Sequence, residues 1–164
     1  MKVAINTCFG GFGLSPLAIQ RYAELKGRMC FFFRSAKGDD GGIDFDRYDG
    51  PLTLAQVNKE SLFFLAFDIS NPNETCVFPD NWHSPPSDEK QKCNDNYWQH
   101  VLPSGRDLER NDPLLIQVIE ELGSKKASGR CAQLAIIEIP DDVEWEIEEY
   151  NGNEHIAERH RTWH

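Results

Sequence analysis

No stretch of the 164-residue chain approaches the ~18 consecutive apolar residues that cross a bilayer. The opening MKVAINTCFGGFGLS also lacks the long apolar segment and small-residue cleavage site of a secretory signal. The expectation is a cytoplasmic protein with no membrane partner. A CxxC pair is missing: Cys8, Cys30, Cys76, Cys93 and Cys131 form an odd set without one. That argues against a disulfide framework and predicts reduced thiols packed as small hydrophobes. Cys76, His83 and Cys93 stand seven and ten residues apart, a spacing that matches no structural-zinc template, so no metal ligands and no cofactor are assigned. Internal repeats and low-complexity tracts are missing as well.

Basic charge is short, with 17 Lys and Arg against 27 Asp and Glu, a net charge of −10. The deficit is one-sided, because residues 1–70 carry eight of each sign whereas residues 71–164 carry nine basic and nineteen acidic. Such a surface repels phosphate backbones at long range and speaks against duplex nucleic acid as a partner. It leaves room for a small anionic ligand held in a local pocket. A chain of this length with 40% hydrophobic residues can build a core unaided, which predicts a single globular domain over 1–164.

Val3 and Ile5 within residues 2–9 read as a strand ended by glycines. Ser15-Pro16 supplies an N-cap and an N1 proline, with Leu14 and Ile19 placed for a hydrophobic staple. The helix that follows should run to Lys26, with Gly27 as its stop. Met29–Arg34 is a second strand, and the length of the connection predicts that the two run parallel with a right-handed crossover. Residues 36–50 read as a loop or exposed hairpin, Leu62–Ile69 as a third strand, and residues 70–105 as a long loop or insertion whose aromatics favour order. Asn111-Asp112-Pro113 starts a second, amphipathic helix that Gly123 stops. Gln133–Ile139 is a fourth strand, and Trp145–Tyr150, Asn151-Gly152 and Glu154–Arg159 read as a hairpin. The fold class is therefore α/β (α+β): a mixed sheet opened by a β-α-β unit, with a second helix and a C-terminal β-hairpin.

Three features carry candidate chemistry. The loop Asn6, Phe9, Gly10, Gly11, Phe12, Gly13 and Ser15 lies between a strand and a helix, where glycine backbone N–H groups and the helix dipole can hold a phosphate or carboxylate. It is neither a GxGxxG fingerprint nor a Walker loop, and the same glycines also suit a tight turn that needs positive φ. Arg106 and Arg110 precede the second helix, suited to bidentate anion recognition or to an ion-pair ladder with Asp107, Glu109 and Asp112. In the tail, His155, His160 and Arg161 mix with glutamates, yet the histidines are an odd number apart and would point to opposite faces of a strand. The run Asp141–Glu149 alternates, with Val143, Trp145 and Ile147 inward and Glu144, Glu146 and Glu148 outward, as a solvated sheet face does. No catalytic nucleophile or metal set stands out.

The opening KVAINTCFGGFGLSPLAIQRYAELKG, the central SGRDLERNDPLLIQVIEELG and the closing IEIPDDVEWEIEEYNGNEHIAERHRTW resemble a family of small bacteriophage-encoded proteins. The resemblance covers about half of the chain and leaves Arg28 to Pro103 unmatched. It implies a phage origin and an accessory, anti-defence role in the host cytoplasm. Small phage proteins include sponges, which sequester the nucleotide signals of bacterial immunity, commonly as homo-oligomers. Joined to the residue reading, it implies a non-catalytic protein that binds a small phosphorylated nucleotide. The 6–15 loop would hold phosphate, Phe9 or Phe12 would stack on a base, and Arg106, Arg110 or Arg161 would complete the site. Two rivals follow from the same residues. One is an enzyme acting on such a nucleotide through His155, His160 or tail carboxylates. The other is an inhibitor whose acidic half docks on a basic host factor.

Overall fold

The computed structural model describes residues 1–37, 43–53, 55, 64–75, 87–105 and 107–159. They form an α+β protein whose strands group into three antiparallel sheets, and the chain divides into two compact units.

The first unit comprises Met1–Lys26 and Ser104–His164. Strand β1 (Lys2–Asn6) pairs antiparallel with β5 (Leu134–Glu138), Val3 opposite Ile137 and Ile5 opposite Ala135. Helix α1 (Pro16–Leu25) begins as its sequence predicts: Ser15 Oγ accepts from Ala18 N–H at 3.2 Å, Pro16 occupies the first turn, and Gly27 follows the helix at φ +70°. Helix α4 (Pro113–Leu122) repeats the device with Asp112, whose carboxylate accepts from Leu114 N–H at 2.8 Å. Its Leu115, Ile116, Val118 and Ile119 are buried with Ala18, Ile19 and Tyr22 of α1. Gly123 at φ +73° ends α4 and leads into the short α5 (Ser124–Ala127). Strands β6 (Trp145–Tyr150) and β7 (Asn153–Glu158) form the expected hairpin, turned by Asn151 and Gly152 at φ +50° and +87°. Both central residues having positive φ is the signature of a type I′ turn. Along β6, Trp145 and Ile147 are half-buried while Glu146 and Glu148 are exposed, as the alternation predicts.

The second unit, Gly27–Pro103, holds β2 (Phe31–Lys37) between β3 (Ile43–Tyr48) and β4 (Phe64–Phe67), both antiparallel to it. Its core is a cluster of rings: Phe33, Phe45 and Phe67 are almost wholly buried, and Phe67 meets the other two edge-to-face at 5.7 and 5.2 Å. Helix α2 (Pro72–Thr75) is a single turn, and α3 (Ser87–His100) adds Tyr97 to the cluster, 5.7 Å from Phe67.

Two expectations are corrected. β1 and β2 do not form a parallel pair in one mixed sheet, because they belong to different antiparallel sheets. The other edge of β1 is partly occupied: Ala4 N–H donates to Arg110 C=O at 2.8 Å and Asn6 N–H to the Glu154 carboxylate at 2.8 Å. Residues 87–100, read as part of a long loop, are helical. That helix fully buries none of its residues and shows no apolar stripe in the sequence, and its acidic first turn and His100 in its last turn agree with the helix dipole.

Candidate functional site

Three of the residues proposed for ligand binding, Asn6, Phe12 and Arg110, are drawn together by a buried polar hub centred on Asn6. Its side chain donates from Nδ2 to Cys8 C=O at 2.7 Å and to Gly152 C=O at 2.6 Å, while Oδ1 accepts from Gln133 N–H at 2.7 Å. Its backbone N–H reaches Glu154 Oε2. Glu154 is in turn gripped by Arg110, Nη1 to Oε2 and Nη2 to Oε1, both at 3.1 Å, and these side chains are only 4% and 11% exposed. The guanidinium lies 3.4 Å from the centroid of the Phe12 ring, a cation–π contact that covers its remaining face. No buried side-chain N or O among the described residues lacks a hydrogen bond. An ionised pair out of water is tolerated on those terms only.

The glycine loop presents the expected row of bare amides only in part: the N–H groups of Gly11, Phe12 and Gly13 have no acceptor among the described residues, but those on either side are bonded within the chain. Gly10 N–H donates to Cys8 C=O at 3.0 Å, Leu14 N–H to Ser104 C=O at 2.8 Å and Ser15 N–H to Ala127 C=O at 2.8 Å. The first turn of α1 is capped by Ser15 itself. Gly11 and Phe12 are buried, Gly13 is half-buried, and the Gly152 backbone lies against the Gly10 and Gly11 nitrogens, so the tip of the β6–β7 hairpin covers that stretch. A cavity for phosphate would have to displace these contacts. Asn6, Gly11, Phe12, Ser15 and Arg110 serve the architecture, and the ladder expected between Arg110 and Asp107, Glu109 or Asp112 gives way to the buried pair with Glu154. Arg106, His160 and Arg161 lie outside the described residues, as do Cys76 and His83.

What the loop does expose is an aromatic ring. Phe9 is 73% exposed, as is Tyr150, and the two flank one backbone contact: Phe9 precedes Gly10, and Tyr150 stands two residues before Gly152. The Gly10 Cα also abuts Cys131, and the neighbouring Arg130 is exposed. The other described arginines are otherwise engaged, Arg21 with Glu24 and Glu121, Arg28 with Asp68, Arg47 with Asp49, Arg159 with Glu146 and Arg34 over the Tyr48 ring. Arg130 has no partner among the described residues. Two solvent-facing rings and an arginine without a partner among the described residues thus lie within two residues of the Gly10–Cys131 and Gly10–Gly152 contacts.

Acid–base groups occur at two places. His155 Nε2 and Glu148 Oε2 are 2.9 Å apart on the open face of the hairpin, both more than half exposed. In the second unit, Asp68 Oδ1 sits 3.0 Å from His100 Nδ1, and Asp68 Oδ2 accepts from Arg28 at 2.7 Å. Partial burial alone raises the Asp68 carboxyl, but the hydrogen bonds from Arg28 and His100 outweigh it and hold the group below its ordinary value. An imidazole oriented by a carboxylate is the arrangement general-base chemistry uses. The sequence concealed it because the partners are 32 and 40 positions from Asp68. Cys8, Cys30, Cys93 and Cys131 form no disulfide. No group of three or more His, Cys, Asp or Glu among the described residues is placed to hold a metal, and no described helix is long and apolar enough to cross a membrane.

The chain matches no family model, no curated protein and no solved structure.

Proposed function

We propose that this chain is a bacteriophage accessory protein of the host cytoplasm that captures a small phosphorylated nucleotide without turning it over, and so acts as a sponge for a signal of bacterial immunity. The phage origin and the class of ligand rest on the family resemblance. The placement rests on one observation: Phe9 and Tyr150, each 73% exposed, flank in sequence the contact between the glycine loop and the hairpin tip, and Arg130, which has no partner among the described residues, precedes the Cys131 that abuts Gly10.

Exposed rings of this size forgo the stabilisation of burial, at about 25 cal/mol per Å2 of apolar surface. A base laid on such a ring recovers part of it through stacking, worth about 1–3 kcal/mol per base. Arginine is the side chain suited to bidentate phosphate recognition, and one that carries no carboxylate partner among the described residues has none of them to release first. In this reading Phe9 keeps the role expected of it, and Arg130 replaces Arg110 as the anion contact. Phe12 is committed to the hub.

Isothermal titration of the full chain against cyclic oligonucleotides and ADP-ribose derivatives tests the proposal. Saturable heat with at least one of them is expected, and its loss in Phe9→Ala, Arg130→Ala or Tyr150→Ala locates the site. Chromatography of the ligand after denaturing the protein should return it unchanged. Altered ligand would instead favour an enzyme, for which the Asp68–His100 pair is the best-placed acid–base group. Folded protein that gives no heat with any of these ligands would overturn the proposal.

A further inference from the structure

The β1–β5 ladder fixes which main-chain groups of β5 face outward. Thr7 N–H donates to Gln133 C=O at 2.8 Å and Ile139 N–H to Met1 C=O at 2.9 Å. Hydrogen-bonded partners recur at every second residue of an antiparallel pair. In the observed register, residues 133, 135, 137 and 139 therefore turn their N–H and C=O towards β1, while Leu134, Ile136 and Glu138 turn theirs away. Leu134 bears this out, since its N–H donates to Ser128 Oγ at 2.9 Å and its C=O accepts from Ser124 Oγ. On the opposite edge of the sheet, the N–H groups of Ala4 and Asn6 donate to Arg110 C=O and the Glu154 carboxylate. On the β5 edge Ile136 and Glu138 are left over: among the described residues, neither has a hydrogen bond for its outward groups. Ile137 between them is 38% exposed.

We propose that this edge pairs with the same edge of a second copy of the chain, antiparallel and centred on Ile137. In that register Ile136 faces Glu138 of the partner subunit, and every outward N–H and C=O of these two residues finds a partner in both copies. The two Ile137 residues become a close pair without mutual hydrogen bonds, with Cα atoms about 4.5 Å apart. Centring on Ile136 would set Glu138 against Leu134, whose groups are already held by Ser128 and Ser124. The preferred register also places no carboxylate opposite another, and within its own sheet Glu138 stands across from Lys2. A two-stranded sheet, marginal by itself, becomes four-stranded, and an open strand edge is closed. The inference is independent of the ligand reading.

Sedimentation velocity of the full chain over a concentration series is the first test, and twice the chain mass is expected. Ile136→Pro deletes an outward donor that β1 does not use, and Ile137→Glu sets like charges against each other. Each variant should halve the mass while circular dichroism is unchanged. Ile137→Cys, kept in a glutathione redox buffer, supplies a readout that does not depend on those variants folding. The two thiols introduced at position 137 and one oxidised glutathione give one intermolecular disulfide and two reduced glutathiones. The product is identified as a cross-linked peptide joining position 137 of both copies, and Glu138→Cys should give none. A single-chain mass at every concentration, a dimer that both folded edge variants retain, or cross-linking at 138 instead of 137 would overturn the proposal.

Discussion

Arg110 and Glu154, 44 positions apart, meet through two 3.1 Å hydrogen bonds with the Phe12 ring against the guanidinium. The pair joins the segment before α4 to β7, and Asn6 ties the same carboxylate to β1. An arginine with the look of an anion contact thus meets an anion of the chain itself, the side chain of Glu154.

Removing the charge from one side of that pair leaves the other buried and uncompensated. Glu154→Gln should destabilise the protein by about 3–5 kcal/mol, measured by urea unfolding. Replacing Arg110 and Glu154 together by methionine should cost less than the sum of the two single replacements, because neither charge is then left alone.

The glycines divide into those with neighbours and those without. A Cβ on Gly10 would strike the Cys131 carbonyl, and one on Gly152 would meet Gly10 N at 2.9 Å in a backbone at φ +87°. Alanine at either position should lower stability by about 1–3 kcal/mol. Gly13 has no heavy atom within 4 Å of its Cβ position and no positive φ, so Gly13→Ala should change stability by less than about 1 kcal/mol. Thermal melts of the three variants check this ordering.

Asp112 should give the fold an acid limb. Burial raises its carboxyl, but hydrogen bonds from Lys26, Tyr22 and Leu114 N–H prevail and keep it below its ordinary value. A carboxyl lowered in the folded state contributes stability above its unfolded pKa of about 3.9 and loses it as pH falls through the folded value. Asp112→Asn retains a capping oxygen and removes the charge. Its stability should fall less steeply than the wild type's between about pH 5 and 2, followed by denaturant midpoints at each pH.

Much of the local structure was readable from the chain. Ser15-Pro16 and Asp112-Pro113 announce helix starts, Gly27 and Gly123 their ends, and Asn151-Gly152 the hairpin turn, because each signal acts within a few residues. Pairing was not readable in the same way. The length between β1 and β2 permits a parallel crossover, but what forbids it is the occupation of β1's outer edge by residues over a hundred positions away. Helix α3 escaped notice because it fully buries none of its residues, and the half-buried face that brings Tyr97 to the ring cluster is mostly polar in sequence. The site was half legible: Phe9 stood out as an apolar ring in a glycine loop, whereas Arg130 and Tyr150 join it only through the Gly10–Cys131 and Gly10–Gly152 contacts.

The most direct test of the account is amide chemical-shift perturbation on titrating the isotope-labelled chain with whichever nucleotide gives heat. Shifts confined to Phe9, Gly10, Arg130, Cys131 and Tyr150–Gly152, with Leu14, Ser15 and Ala18 unmoved, are the predicted result. Shifts centred on Gly11–Ala18, the start of α1, would contradict it, since they would mean that the amides bonded to Ser104, Ala127 and Ser15 open to receive the ligand.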